Sequence, residues 1–186
     1  LGHLGGRIND EDYPTLTVIN GILNGYGGRL HNEIRTRQGL AYSVYGIWRS
    51  QYDYDGVFLA GGQTRSETTG QFIESLKREI EDLRTNSVTQ EELNYAKDSM
   101  LNSFVFQFQS PSQTLSRIMT YEFYDYPSDF IFQYQKKVKS TTRDDVLKVA
   151  QKSLKPDKIV TLIVGNEEQI KPTLEGLNGQ ISTLNL

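Results

Sequence analysis

Residues 25–44 read GYGGRLHNEIRTRQGLAYSV, and the fold is read outward from them. Gly25, Gly27 and Gly28 break whatever helix precedes them. A short helical pattern follows, with Leu30 and Ile34 four residues apart on one face. Gln38-Gly39 ends it, because a glycine just past the last periodic residue is a common helix stop. A strand opens at Leu40 or Ala41. Arg35 falls on the last helical turn, and Tyr42 near the start of the strand. A helix, a tight glycine stop and a strand would carry a guanidinium and a phenol to one cleft. Both groups donate hydrogen bonds to carbonyl or carboxylate oxygens. That is the chemistry of holding a peptide or of stabilising a developing oxyanion.

On the C-terminal side, Leu40 to Arg49 and Gly56 to Thr64 read as a β-hairpin joined through the turn dipeptide Asp55-Gly56. Its first arm places Tyr42, Val44 and Trp48 on one face, with Tyr45 and Ile47 on the other. Gly61-Gly62 in the second arm predicts a close backbone approach or a bulge. On the N-terminal side, Leu1 to Arg7 reads as the end of a strand. Asn9 to Asp12 is rich in helix N-cap residues, and Pro14 suits a first helical turn. Leu16, Ile19 and Leu23 then form a helical face with Val18 and Ile22.

Further on, Ser66 to Arg84 is an amphipathic helix with Phe72, Ile73, Leu76, Ile80 and Leu83 on its apolar side. Thr89-Gln90-Glu91-Glu92 is a capping box. It opens a helix with Leu93, Ala96, Met100, Phe104 and Phe108 inward, ended by Ser110-Pro111. A helix from Ser112 to Tyr124 has Leu115, Ile118, Met119 and Phe123 as its apolar positions. Ser128 or Asp129 caps another through Val138. Thr141-Thr142-Arg143-Asp144 reads as a capping box with Asp in the final place, ahead of Val146, Val149 and Ala150. Lys155-Pro156-Asp157 is a turn, and Ile159 to Val164 reads as a buried strand by length and β-branching. Glu167 to Leu174 is a last short helix, and 175–186 a loose tail. Four strands with helices between them predict an α+β two-layer fold for residues 1–174. Its mainly antiparallel sheet is covered on one face by helices.

Composition narrows the classes. The chain has 186 residues, net charge −3 and no cysteine, so disulfides and thiolate chemistry are excluded. No basic patch with interleaved aromatics suggests nucleic acid, and no apolar run reaches the roughly 20 residues of a membrane span. The compartment stays open. The chain opens at Leu1 inside a strand pattern, the expectation for a processed or excised segment, so the lack of a targeting sequence is uninformative.

The run GGRLHNEIRTRQGLAYSVYG resembles the second homologous half of the insulinase/pitrilysin zinc peptidases, the group with the inverted H-x-x-E-H motif that includes the mitochondrial processing peptidase. Arg29-Leu30, Ile34-Arg35-Thr36-Arg37 and Gly39-Leu40-Ala41-Tyr42 stand at the places of that group's pattern. The resemblance extends from LGHLGGRINDEDYPTLTVINGIL to KIVTLIVG. It implies a ferredoxin-like core with extra helices. It also implies that Arg35 and Tyr42 hold the substrate backbone and help stabilise the tetrahedral intermediate. The family's zinc requires H-x-x-E-H on one helix. This chain has only His3 and His31 and lacks the motif, so it supplies no metal site and zinc is expected in the missing homologous half. Gly25 to Gly28 resembles the substrate-facing glycine-rich loop of the processing peptidase's non-catalytic subunit, which makes Gly27, Gly28 and Arg29 candidate substrate-binding residues; a plain helix C-cap with a turn is the competing reading. The aromatic stretch Tyr121 to Tyr134 is either a surface for the zinc-bearing half or core packing.

The implied function is the non-zinc half of a zinc metalloendopeptidase. It binds an extended peptide along an exposed strand edge and presents Arg35 and Tyr42 to the scissile region. The zinc half would lie in the same longer chain or on a partner subunit. The alternative is a non-catalytic scaffold or partner subunit of the same family. An unrelated α+β binding domain would leave the match from Arg29 to Tyr42 as coincidence.

Overall fold

Three strands form one antiparallel sheet in the order β1-β3-β2, in a computed structural model that describes residues 1–177 and 179–184. They are β1 (Gly2–Leu4), β2 (Ala41–Arg49) and β3 (Val57–Thr64). His3, Phe58 and Trp48 stand in one row across the sheet, with ring centroids 5.3–5.4 Å apart. This row faces α1 (Tyr13–Leu23), α2 (Thr69–Thr85), α3 (Gln90–Phe104) and α6 (Arg143–Ser153), which share one core cluster with it. Ile19, Ile22, Leu76, Ile80 and Leu83 are fully buried there. Each such side chain contributes about 1.5–3 kcal/mol. At Gly21 a Cβ would stand 3.0 Å from Ala96, so glycine lets α1 and α3 cross closely.

Among the described residues no helix covers the opposite sheet face, on which Leu4 and Tyr45 are exposed. A mixed fold with a small antiparallel sheet and helices on one face therefore stands as expected. The remaining helices are α4 (Pro111–Phe123), α5 (Phe130–Ser140) and the short α7 (Glu167–Ile170). Among the described residues no helix is long and apolar enough to cross a membrane.

Four local expectations are corrected. Ile159 to Val164 is not a buried strand: only Val160 pairs, as an isolated bridge to Gly2, and Leu162 and Val164 are 75% and 88% exposed. Apolar β-branched residues express a preference, but a strand needs a neighbour, and residues 161–164 have none. Tyr42 does not share a face with Val44 and Trp48. The register steps from Ala41↔Thr64 to Ser43↔Gln63, which leaves Tyr42 as the extra residue of a bulge, turned out to solvent. Leu115, Ile118, Met119 and Phe123 are exposed, because α4 packs through Tyr121 instead. Helical spacing tells which residues share a face, not whether anything covers it. The aromatic stretch is split accordingly: Tyr121, Phe130, Ile131 and Tyr134 pack together, while Phe123 and Phe132 face solvent.

The fourth correction concerns caps. Thr142, not Thr141, caps α6, and Asp145 closes the box. Hydrogen bonds from the Thr142 hydroxyl and N–H hold the Asp145 carboxyl below its usual range. Thr142→Ala is expected to lower unfolding stability by about 1 kcal/mol, read from the urea midpoint at unchanged slope. The box at Thr89 and Glu92 is as expected. Ser110-Pro111 both closes one helical stretch and opens α4, where Ser110 and Gln113 form a further capping box. The tail from Glu175 includes residues 178, 185 and 186, which lie outside the described residues. Leu177 packs on the cluster of Ile73, Ile170 and Leu174.

His3 ties β1 to the far end of the core. Its Nδ1 bonds the Leu4 carbonyl at 2.8 Å, and its Nε2 accepts from the Lys155 N–H at 3.3 Å. Both bonds together require the neutral imidazole with the proton on Nδ1. Burial lowers its pKa below the ordinary 6.5. The unfolded chain therefore takes the proton first, and stability present above pH 6.5 is lost as pH falls from 6.5 toward the lowered value. Melting scans are expected to show a midpoint that drops between pH 7 and mildly acidic pH, with a smaller drop in His3→Gln.

Candidate functional site

The stretch that opens the sequence builds the site. Gly25 has φ +83°, a left-handed turn that glycine adopts without strain. The helical pattern after it is a π-helix, His31–Arg37, in which the Gln38 N–H donates to the Glu33 carbonyl five residues back at 3.1 Å. Such widened turns are rare and recur at functional sites. Gly39, with φ +62°, ends it, and β2 follows.

The π-helix is pinned from behind. The Glu33 carboxylate accepts from the Arg37 Nε at 2.6 Å and from the Gln38 side chain at 2.8 Å. The Arg37 bond holds the Glu33 carboxyl below its usual range. The Ser75 hydroxyl of α2 donates to the Gln38 side-chain carbonyl at 2.7 Å. Glu79, buried on α2 behind this helix, has its carboxyl pushed up by burial. Arg37 is thus spent on Glu33, and Arg35 is not: it forms no ion pair among the described residues. Its Cζ lies 5.5 Å from the Tyr42 ring centroid, over the ring. Tyr42 is 79% exposed. The bulge turns the phenol to the surface where the helix end puts the guanidinium.

Two residues extend the row. His31 Nε2 stands 3.4 Å from an Arg35 terminal nitrogen, and its Nδ1 is buried without a hydrogen-bond partner among the described residues. The Tyr26 ring, itself exposed, meets His31 edge-on at 5.3 Å. Tyr26, His31, Arg35 and Tyr42 therefore run as one polar and aromatic strip. His31 and Arg35 at i and i+4 were the sequence signal for their shared face. Nothing local pointed to Tyr26.

Gly27, Gly28 and Arg29 lie beside the strip, with Gly27 exposed, Gly28 buried and Arg29 partly buried. A Cβ on Gly27 would stand 2.8 Å from the Tyr95 ring, and one on Gly28 2.1 Å from the Asn24 carbonyl oxygen. The Gly27 N–H donates to the Tyr95 hydroxyl at 3.2 Å. Arg29 has only 13% of its side chain exposed and is gripped by Asp82 at 2.5 Å and Glu92 at 2.9 Å. It clamps the first turn of this segment to α2 and α3.

The strand edge beside Tyr42 is partly closed. Asn24 donates to the Gly46 carbonyl and accepts from its N–H, at 2.6 and 3.1 Å. Asn20 does the same to Trp48 at 3.2 and 2.7 Å. Two amide side chains thus imitate a neighbouring strand and block the edge. The backbone alternation puts Val44 on that same side, where neither asparagine bonds.

Zinc does not fit this chain. Among the described residues no three His, Cys, Asp or Glu side chains gather to hold a metal. Both ring nitrogens of His3 are engaged, and His31 faces a guanidinium.

Fold and site together define an α+β domain that offers a surface arginine–tyrosine pair and, among the described residues, no metal cluster. A family model described as the peptidase M16 inactive domain matches residues 1–100, and the chain belongs to that family. It is 30% identical over 118 residues to a protein named uncharacterized zinc protease YmxG from Bacillus subtilis, covering 63% of this chain and 29% of that protein. It is 30% identical over 122 residues to a non-peptidase homolog YmxG from Helicobacter pylori, covering 64% and 28%. A crystal structure of a peptidase M16 inactive domain from Pseudomonas fluorescens superposes with a TM-score of 0.77 at 27% identity, over 84% of this chain and 38% of that one. The chain spans less than a third of the length of these two curated relatives.

Proposed function

We propose that this chain is the non-metal half of a zinc metalloendopeptidase, built on a ferredoxin-like core, that holds an extended peptide and presents Arg35 and Tyr42 to the scissile region. The observation that carries the reading is the pairing of Arg35 with Tyr42: an arginine without an acid partner among the described residues, set over the ring of an exposed phenol. One terminal nitrogen of the guanidinium stands 3.4 Å from His31 Nε2, and its other N–H groups make no hydrogen bond among the described residues. Two donors so placed suit a peptide carbonyl and, better, the oxyanion it becomes. The peptide lies along the open end of β2 at Tyr42–Val44, because Asn20 and Asn24 occupy the rest of the edge. The zinc, its water and the general base belong to the homologous half, in the same longer polypeptide or on a partner subunit.

The test is peptide hydrolysis with zinc present, by this chain alone, by the zinc-bearing half alone and by the two mixed. Turnover in the mixture only is the expected result. A mixture that assembles and stays inactive would overturn the reading in favour of a non-catalytic scaffold subunit. The name of the Helicobacter relative, non-peptidase homolog, favours that second reading.

A further inference from the structure

The first turn of α1 lies at the opposite end of that helix from the Arg35–Tyr42 strip, and it faces α5 across a cavity of about 260 Å³. Sites for drug-sized ligands run to roughly 300–1,000 Å³, so this one suits a smaller molecule. Its walls are aromatic. Tyr13 and Tyr134 stand 5.5 Å apart, centroid to centroid, tilted by 37°. Tyr126 and Phe130 meet at 83° and 5.0 Å, which makes a corner of two ring planes. Tyr124 lines the cavity as well, stacked on Tyr52 at 4.8 Å. Two of the hydroxyls are engaged: that of Tyr134 shares a hydrogen bond with Thr17 at 2.9 Å, and that of Tyr126 donates to the Tyr52 carbonyl at 3.2 Å. Burial raises the pKa of the Tyr13 and Tyr134 phenols, so these walls stay neutral.

The Tyr126 corner of the cavity is acidic. Asp125 precedes Tyr126 in the chain, Asp10 lines the same cavity, and burial together with the charge of Asp10 raises the Tyr126 phenol. Neither carboxylate forms an ion pair among the described residues, and the neighbouring cations are engaged, Arg7 with Asp55 and Lys152 with Asp12. Lys137 also lines the cavity, but seven positions after Phe130 on α5, about 10 Å further along the helix axis. Asp125 has φ +57°, the one positive value among the described non-glycine residues. Glycine would take that turn without strain, so the aspartate costs stability and supplies a carboxylate. No cation stands over these rings among the described residues; the arginines set over a ring are Arg35 at Tyr42 and Arg117 at Phe108.

We propose that this cavity binds a small organic cation of the quaternary-ammonium kind, held among the tyrosine and phenylalanine rings with Asp10 and Asp125 as its counter-charges. Aromatic rings attract a cation through their quadrupole, and most strongly where water is excluded. A lysine or arginine head would need acceptors for three or five N–H groups. The cavity is poor in them, because the Tyr126 and Tyr134 hydroxyls already bond within the protein. A quaternary ammonium has no N–H to satisfy. It needs ring surface and a nearby negative charge, and both meet at the Tyr126 corner.

The test is titration of the chain with choline and with its neutral isostere, in which carbon replaces the ammonium nitrogen, read by calorimetry and by the shift of the ligand methyl protons. Choline is expected to bind in the millimolar range, its methyl signal moved upfield by the rings, and the isostere about tenfold more weakly. In the Asp10→Asn, Asp125→Asn double variant choline affinity is expected to fall by about threefold to fivefold. Asparagine keeps the side-chain acceptor that the Arg7 N–H uses and tolerates the left-handed turn, so the urea midpoint should hold. Equal affinity for choline and the isostere would make the cavity a plain apolar pocket and overturn the proposal. So would a double variant that binds choline as the parent does, or no binding of choline at tens of millimolar. Tighter binding of N-acetyl-lysine amide than of choline would also overturn it, by assigning the cavity to a basic side chain of a peptide.

Discussion

Arg35→Ala in the assembled pair of halves is expected to lower turnover by about 10²–10³-fold, the usual cost of one donor to a developing oxyanion. Tyr42→Phe removes a single hydroxyl and is expected to fall in the same range. The measurement is kcat and KM for a peptide substrate, with urea unfolding of each variant alongside. A donor that acts mainly in the transition state lowers kcat and kcat/KM together. Both side chains are exposed, so folding stability should move by no more than about 0.5 kcal/mol. Full rate in Tyr42→Phe would remove the phenol from the mechanism. An effect on KM alone would make Arg35 an anchor of the ground-state peptide.

Arg29→Met is the variant expected to cost most in stability. It leaves Asp82 and Glu92 facing each other without the cation that both now grip. Breaking a fully buried pair costs about 3–5 kcal/mol; with Asp82 40% exposed, a loss of about 2 kcal/mol is expected here. It should appear as a lower urea midpoint at unchanged slope. Peptide hydrolysis by the folded variant with its zinc half should stay close to the parent rate. A variant that keeps its stability and loses turnover would instead give the Gly27–Arg29 segment the substrate-binding role that the resemblance implies. The two arginines stand six positions apart in one motif, and their partners separate them: carboxylates from two helices for one, a phenol face for the other.

Much of this was legible in the sequence where the cause is local. The glycine break, the π-helical stretch as a short helix, the stop at Gly39 and the hairpin that follows are each set by φ preferences and by spacing within a few residues. The helix α2 and the box at Thr89 and Glu92 are of the same kind, because a cap bonds a backbone three residues away. The absence of a metal motif follows from counting two histidines. The resemblance from Arg29 to Tyr42 named the pair that the structure then brings to 5.5 Å.

What the tertiary structure decided depends on residues far apart in the chain. Tyr42 reaches solvent because β2 and β3 are one residue out of step, and a bulge is a property of two strands, not of either. Arg29 is held by Asp82 and Glu92, 53 and 63 positions away, which no periodicity encodes. The edge of β2 is blocked by Asn20 and Asn24, polar residues on α1 whose target appears only when helix and strand dock. Leu115 and Ile118 show an apolar face without anything to cover it, and residues 161–164 show a strand preference without a neighbouring strand. The sequence by itself determined the elements, their caps and the motif, since these depend on bonds within a turn or two. Which side chains became free donors, and which became clamps, was left to contacts across the fold, because burial and pairing are fixed by the partner that arrives.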